Sequence, residues 1–287
     1  MNVLSLFDGM SCGQIALKNL GVEVDNYYAS EIDHHAIKVS SDNFPKMIHL
    51  GDVSKIDLSA IPKIDLLIGG SPCTGFSFAG KQLNFQDSQS KLFFDYVRIW
   101  KEIKPTWFLL ENVVMKKEFE DVITNYMGVK PIKINSELFS AQNRNRLYWT
   151  NIPIGSIVPQ NVTLKDVLPE GEILVHNIYG GFKEDKCRVF EIKSPTLRAN
   201  SGGGSVPSVF KGTKEQAQNL PLSELRKSIR KLTVDECKKL QTIPEDILIN
   251  VSYTQALRMI GNGWTVKVIE HIFKGMFEQV NLEHLYQ

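Results

Sequence analysis

Short apolar runs alternate with amphipathic stretches through the first half of the chain. Residues 3–7, 27–30, 47–50, 64–68 and 107–110 are apolar enough to be strands buried on both faces, the mark of a parallel sheet. Residues 14–20, 91–104 and 116–126 repeat with helical period instead. In 91–104, Leu92, Phe93, Tyr96, Val97, Trp100 and Ile103 share one face, and Pro105 ends the segment; Gly21 ends 14–20. Strand followed by helix, several times over, predicts an α/β fold with a Rossmann-like sheet. Residues 130–135 and 147–151 form a further strand pair around Gln142-Asn143-Arg144-Asn145-Arg146.

From about residue 154 the texture changes. Pro153, Pro159, Pro169, Gly171, Gly180, Gly181, Gly202, Gly203 and Gly204 break the chain into short mixed segments, and the alternation stops. This predicts a second, smaller, irregular domain over 154–249, with 1–153 and 250–287 forming the first. Residues 266–277 return to an apolar helical pattern. Glycines on both sides of Asn262 are expected to leave it exposed at a helix start.

Composition narrows the class. A length of 287 residues suits one medium domain and a smaller one, and 43% hydrophobic with 23% charged residues describes an ordinary globule. The apolar runs are far shorter than a membrane span, and a strand pattern starting at the first residues leaves no room for a signal peptide, so a cytoplasmic setting is expected. With 33 basic and 32 acidic residues, binding to nucleic acid would need a local patch. Cys12, Cys73, Cys187 and Cys237 contain no C-x-x-C pair, which argues against zinc and a disulfide framework and for a reducing compartment.

The candidate chemistry gathers where strands end. The run 64–68 leads through Gly69 and Gly70 to Ser71-Pro72-Cys73-Thr74-Gly75-Phe76-Ser77, which puts a thiol at the C-terminal edge of the sheet; a buried structural cysteine is the alternative. After the first strand, Asp8-Gly9-Met10-Ser11-Cys12-Gly13 opens a helix, a cradle in which free amides face a ligand. Its G-x-x-x-G spacing is not the dinucleotide G-x-G-x-x-G, which argues against NAD. Glu31 closes the second strand at the distance from the turn where a carboxylate accepts ribose hydroxyls, and Asp52 closes the third, with Ile32 and Val53 placed to pack on a base. Glu111 caps the 107–110 run, where partial desolvation lets a carboxyl share a proton with a ring nitrogen. Residues 80–90 form a long polar connection of the kind used as a lid.

Pro72-Cys73, Glu111-Asn112-Val113, Gln142-x-Arg144-x-Arg146, Ser194-Pro195-Thr196-Leu197-Arg198 and Gly261-Asn262-Gly263-Trp264 together resemble the motifs of the cytosine-C5 DNA methyltransferases, in that family's order. The last is similar to the version in the animal de novo methyltransferases and their bacterial and phage relatives. The resemblance implies an S-adenosylmethionine-dependent enzyme acting on double-stranded DNA, with S-adenosylhomocysteine as product and a small target-recognition domain. It implies that Cys73 attacks C6 of a flipped cytosine, that Glu111 engages N3, that Arg146 holds O2 and that Arg144 steadies the loop. It assigns the cofactor to Phe7, Asp8, Gly9, Met10, Glu31, Ile32, Asp52, Val53, Pro72, Leu92 and Asn262. DNA contacts fall to Arg188, Thr196 and Arg198 within a basic scatter that includes Lys193, Arg226 and Arg230, and Phe182 or a neighbour fills the gap left by the flipped base. A bacterial or phage-infected cell and a cognate restriction endonuclease fit the same picture. Thr74 stands where many members carry Gln, and Gln89 where an Arg is usual. A tRNA-directed member of the same fold would present the same centre, a non-catalytic relative would typically lack the thiol or the acid, and the glycine spacing disfavours an oxidoreductase.

Overall fold

The computed structural model describes residues 1–71, 88–178, 186–199 and 206–278, with the side chains of 88–90 and 278 outside the description. Pro72, Cys73, Thr74, residues 80–87 of the expected lid, the Gln89 side chain, Phe182 and the glycines at 180, 181 and 202–204 thus lie outside the described residues. The chain divides into two compact units. One comprises Met1–Ile134, Asn145–Ser156 and the chain from Val268; the other comprises Asn135–Arg144 and Ile157–Lys267.

One sheet holds β1 (Asn2–Leu6), β2 (Asn26–Ser30), β3 (Ile48–His49), β4 (Leu66–Gly70), β5 (Trp107–Val113), β6 (Ile132–Asn135) and β7 (Asn145–Thr150). Their order is β3-β2-β1-β4-β5-β7-β6. β1 to β5 pair in parallel, and β7 runs antiparallel to β5. Parallel strands bring their C-terminal ends to one edge, and the connections change direction between β1 and β4, where open sheets hold their ligands. Helices α1 (Cys12–Asn19), α2 (His34–Asn43), α3 (Ser88–Ile103) and α4 (Lys117–Met127) follow strands. Asp33 starts α2 by accepting the amides of His35 and Ala36, which satisfies two of the helix's orphan donors.

The apolar runs form strands because both faces are covered. Leu4, Leu6, Leu67, Phe93, Tyr96, Phe108, Leu110 and Trp149 share one buried cluster. At about 1.5–3 kcal/mol per large side chain, that burial outweighs any local conformational preference. Two boundaries differ from the sequence reading. Gly69 and Gly70 belong to β4 itself, because a Cβ on Gly69 would stand 3.0 Å from both the Leu6 carbonyl and the Tyr96 ring. Glu111 is an interior residue of β5, since β7 extends the pairing as far as Val113 opposite Arg146.

The second unit contains β8 (Glu172–His176), β9 (Arg188–Phe190), β10 (Ser208–Lys211) and β11 (Ile229–Lys231), an antiparallel sheet in the order β11-β10-β8-β9. With it lie α5 (Lys214–Asn219), α6 (Leu222–Leu225), α7 (Val234–Leu240) and α8 (Tyr253–Asn262); α9 (Val266–Glu278) begins four residues after α8 ends. Ile173, Val175, Ile178, Cys187, Phe210, Ala217 and Leu225 make its core. The region expected to be irregular is therefore built on a sheet whose strands are too short to show a period of two.

Residues 135–144 and 250–267, which the sequence reading placed in the larger domain, pack in this second unit. Buried side chains tie them there. Gln142 Nε2 donates to the Leu240 carbonyl and to Gln241 Oε1, both at 3.1 Å, and Gln142 Oε1 accepts from the Leu197 amide at 2.7 Å. Gln241 Nε2 in turn reaches the Ile260 carbonyl at 2.8 Å.

Candidate active site

The turn after β1 is held from several sides. Phe7, Gly9 and Ser11 all adopt positive φ, at 57°, 58° and 66°. The Asp8 amide donates to the Ser30 carbonyl at 3.1 Å, and the Gly9 amide donates to Glu31 Oε2 at 2.8 Å. Glu31 Oε1 accepts the amides of Ile32 and Asp33 at 2.8 and 2.9 Å, so this one carboxylate joins the end of β2 to the turn after β1. Ile32 beside it is 77% exposed, an apolar side chain standing in water at the sheet edge.

The Ser30 hydroxyl donates to the Gly51 carbonyl at 2.7 Å, which fixes the segment carrying Asp52. Asp52 spends Oδ1 on the Ser54 amide and hydroxyl, both at 2.9 Å, and those bonds hold its carboxyl below the usual range. Val53 and Met10 are buried, and Leu92 packs on the main core cluster. The expected cofactor residues in this unit thus cluster along the ends of β1, β2 and β3, Leu92 lies near the start of α3, and Pro72 falls outside the described residues.

Two strands further on, the register sets Gly70 of β4 against Glu111 of β5. Arg146 faces Val113 across the antiparallel pair, and Glu111 lies two residues from Val113 on the same strand face, so the two side chains meet diagonally. Arg146 Nε stands 3.0 Å from Glu111 Oε1, with both side chains largely buried. Next to Glu111, Asn112 is 2% exposed; its Nδ2 donates to the Ser71 hydroxyl at 3.2 Å and to the Ser71 carbonyl at 3.4 Å. The strand bearing the acid therefore grips the residue that immediately precedes Pro72-Cys73.

Cys73 lies outside the described residues, but the other three cysteines make poor nucleophiles. Cys12, Cys187 and Cys237 are all buried. Burial pushes the Cys237 thiol up to about 12 and raises that of Cys187, so neither is poised as a thiolate.

Arg144 sits elsewhere. It is 3% exposed in the second unit, where Nη1 donates to the Leu197 carbonyl and Nη2 to the carbonyls of Gly261 and Gly263, each at 3.0 Å. The Thr196 hydroxyl donates to the Asn143 carbonyl at 2.7 Å. Asn262 is exposed, as expected, but it is the last residue of α8 and not the first of a helix, because the Gly263 amide closes that helix on the Met259 carbonyl.

Arg188 and Arg198 are exposed. Other members of the basic scatter are committed internally: Lys193 Nζ caps the carbonyls of Glu137, Ser140 and Val162, Arg226 Nε donates to the Ile178 carbonyl, and Arg230 pairs with Glu172 and Glu236. Sequence reasoning missed Tyr27, and it named Ser11 and Asn112 only as members of the cradle and of the Glu-Asn-Val motif, without a role for either side chain. The signal at Tyr27 was a phenol in a buried strand, which needs a partner for its hydroxyl. Among the described residues no helix is long and apolar enough to cross a membrane, and no group of His, Cys, Asp and Glu could hold a metal ion.

Residues 1–153 and 162–278 match the profile of a family described as C-5 cytosine-specific DNA methylase. The Type II methyltransferase M1.ScrFI of Lactococcus lactis subsp. cremoris is 32% identical over 284 residues, covering 89% of this chain and 73% of that protein. Type II methyltransferase M.Bsp6I from Bacillus sp. (strain RFL6) is 28% identical over 328 residues, covering 98% of this chain and 99% of its own. Among solved structures, a mutant of DNMT2 from Spodoptera frugiperda superposes with a TM-score of 0.67 at 20% identity, over 96% of this chain and 99% of that one.

Proposed function

The chain belongs to the C-5 cytosine-specific DNA methylase family and is a methyltransferase of that family, and from that premise we propose that it methylates C5 of a cytosine flipped out of double-stranded DNA, using S-adenosylmethionine. The observation that carries the reading is the Glu111–Arg146 pair, set beside the strand that leads into Pro72-Cys73. The carbonyl oxygen O2 and the ring nitrogen N3 of cytosine lie side by side on one edge, so a carboxyl and a guanidinium placed together can grip both at once.

Cytosine C5 is a poor nucleophile until the ring is activated. Cys73 as thiolate adds to C6, forming a sulfur–carbon bond, while Glu111 holds a proton at N3 and Arg146 stabilises the charge at O2. The electron pair then resides at C5 as an enamine. S-adenosylmethionine, when bound, supplies an electrophilic sulfonium methyl. A base then takes the C5 proton, the freed electron pair restores the C5–C6 double bond, and the C6–sulfur bond breaks to expel Cys73 as thiolate.

The residues at the ends of β1, β2 and β3 fit such a donor. Gly9 has nothing within 4 Å of where a Cβ would stand, Glu31 Oε2 keeps a lone pair beyond its bond to Gly9, and Ile32 offers an exposed apolar face to a base. Phe7, Asp8, Gly9 and Met10 shape the turn, Glu31 takes the ribose, Asp52 the adenine amine, and Val53, Pro72, Leu92 and Asn262 complete the set. Arg188, Thr196 and Arg198 contact the duplex, and Phe182 or a neighbour fills the vacated stack. The division into a catalytic domain of 1–153 with 250–287 and a target-recognition domain of 154–249 is part of this functional reading. The Type II naming of the two relatives supports a cognate restriction endonuclease as partner and a cytoplasmic site of action in a bacterial or phage-infected cell.

Expression in a host lacking cytosine methylation, followed by bisulfite sequencing, tests the proposal. Protected cytosines in one sequence context are expected from the wild type and none from Cys73→Ala. An unmethylated genome from folded wild-type protein would reject it.

A further inference from the structure

The turn after β1 contains two left-handed residues that are not glycine, Phe7 and Ser11, on either side of Gly9. Such conformations cost on the order of 1–3 kcal/mol each and persist only where the surroundings impose them. Asp8 lies between them and makes the bonds that do so. Its carbonyl accepts the Ser11 amide at 3.0 Å, its Oδ1 accepts the Tyr27 hydroxyl at 2.9 Å, and its Oδ2 accepts the Ser11 hydroxyl. Ser11 occupies the N-cap position of α1 in the left-handed conformation, and its hydroxyl makes no cap there.

We infer that Asp8 is the positioning residue of this turn, its carboxylate drawing the Ser11 and Tyr27 hydroxyls together and so holding residues 7–11 in the shape that takes the methyl donor. The inference rests on the proposed assignment of the turn to the cofactor, and it separates Asp8, which acts through its neighbours, from residues that touch the ligand.

The charge state gives the idea its distinguishing signature. The groups facing Asp8 are Ser5 of β1, Ser11 of the turn, Tyr27 of β2 and Glu31 beyond β2, and none of these four is a cation. Burial lifts the carboxyl to about 6, hydrogen bonds from Ser11, Ser5 and Tyr27 oppose the rise, and the Glu31 charge adds to it. An ionised carboxylate accepts both hydroxyls, whereas the protonated acid turns one oxygen into a donor. Ligand affinity is therefore expected to fall as pH drops through about 6. Stability runs the other way. A carboxyl raised from 3.8 contributes stability that is present below 3.8 and lost as pH rises through about 6, so the ionised group burdens the fold at neutral pH.

Calorimetric titration of S-adenosylhomocysteine into the full chain between pH 5 and 8, with melting curves on the same samples, tests this. At pH 7.5, Asp8→Asn is expected to weaken binding at least tenfold, to flatten the pH profile and to leave the melting temperature unchanged or higher. Tyr27→Phe removes a bond that stabilises the charged form, so it should move the profile's midpoint upward. That variant and the wild-type profile carry the test if Asp8→Asn fails to fold. A flat wild-type profile, Asp8→Asn binding within threefold of wild type, or affinity and melting temperature falling together would overturn the inference while leaving the cofactor assignment standing. Folded wild type that binds no S-adenosylhomocysteine at any pH would remove both.

Discussion

Arg144 and Arg146 stand two residues apart, yet they belong to different units and their guanidiniums do different work. Arg144 is buried and spread over three main-chain carbonyls from two distant segments, Leu197 on one and Gly261 and Gly263 on the other. Arg146 pairs with the Glu111 carboxylate at the diagonal of a strand pair, and its Nη1 donates to the carbonyl of its own chain neighbour, Asn145, at 2.8 Å. A guanidinium spent on main-chain carbonyls cannot turn to a substrate without releasing the segments it joins. One paired with a carboxylate can share that partner with a base edge and return.

The contrast extends beyond the two arginines. In the second unit Lys193 caps three carbonyls, Lys238 caps those of Glu245 and Ile247, and Arg230 joins Glu172 of β8 to Glu236 of α7. Charge there is structural mortar. Along the edge of the parallel sheet, Asp52 orders one short turn, Glu31 joins the end of β2 to the turn after β1, and Glu111 pairs with Arg146. A positive count in the second unit is therefore a poor guide to which cations are open to a ligand.

The largest effect that could break this comparison is on stability. Arg144→Ala leaves buried carbonyls without their donor and is expected to cost about 1–3 kcal/mol for each one left unpaired, seen as a fall in the denaturant midpoint. A loss under about 1 kcal/mol would show that the clamp is ornamental. At Arg146 the expectation reverses. Arg146→Lys keeps a charge near Glu111 but loses the planar fork, so the methylation rate should fall by about 10²–10³ while the denaturant midpoint barely moves. Equal losses of stability and rate at both positions would erase the distinction.

A smaller effect sharpens the mortar reading through pH. Burial tends to raise Glu236, but hydrogen bonds from Arg230 and Thr233 outweigh it and the net shift is downward from 4.5. Its stabilisation is thus complete above 4.5 and lost as pH falls below that, through the lower folded value. Glu236→Gln should cost about 1–3 kcal/mol at neutral pH and flatten the acid limb of the stability curve. An unchanged acid limb would place the pH sensitivity elsewhere.

Much of the parallel sheet was legible because strands covered on both faces are apolar throughout, and the periods in residues 3–7, 64–68 and 91–104 survive in β1, β4 and α3. Glu31 and Asp52 were expected just past strand ends and stand there, after β2 and β3, whereas Glu111 is interior to β5 because the β7 strand that extends the pairing lies far along the chain. The antiparallel sheet was not legible, because β9 and β11 span only three residues each. The resemblance gave Arg144 and Arg146 different roles, but nothing in their spacing named the partners of Arg144, because those carbonyls come from residues more than fifty positions away. The Asp8–Tyr27 contact was hidden in the same way: it needs β1 and β2 to lie side by side before either group has a partner.

The most direct test of the central claim traps the covalent step. The full chain, incubated with S-adenosylmethionine and a duplex carrying 5-fluorocytosine in its target sequence, should form an adduct that survives denaturant, because the fluorine cannot leave C5 as a proton does. The adduct should map to Cys73 and be absent with Cys73→Ala. Wild-type protein that binds the same duplex and forms no adduct would contradict the account.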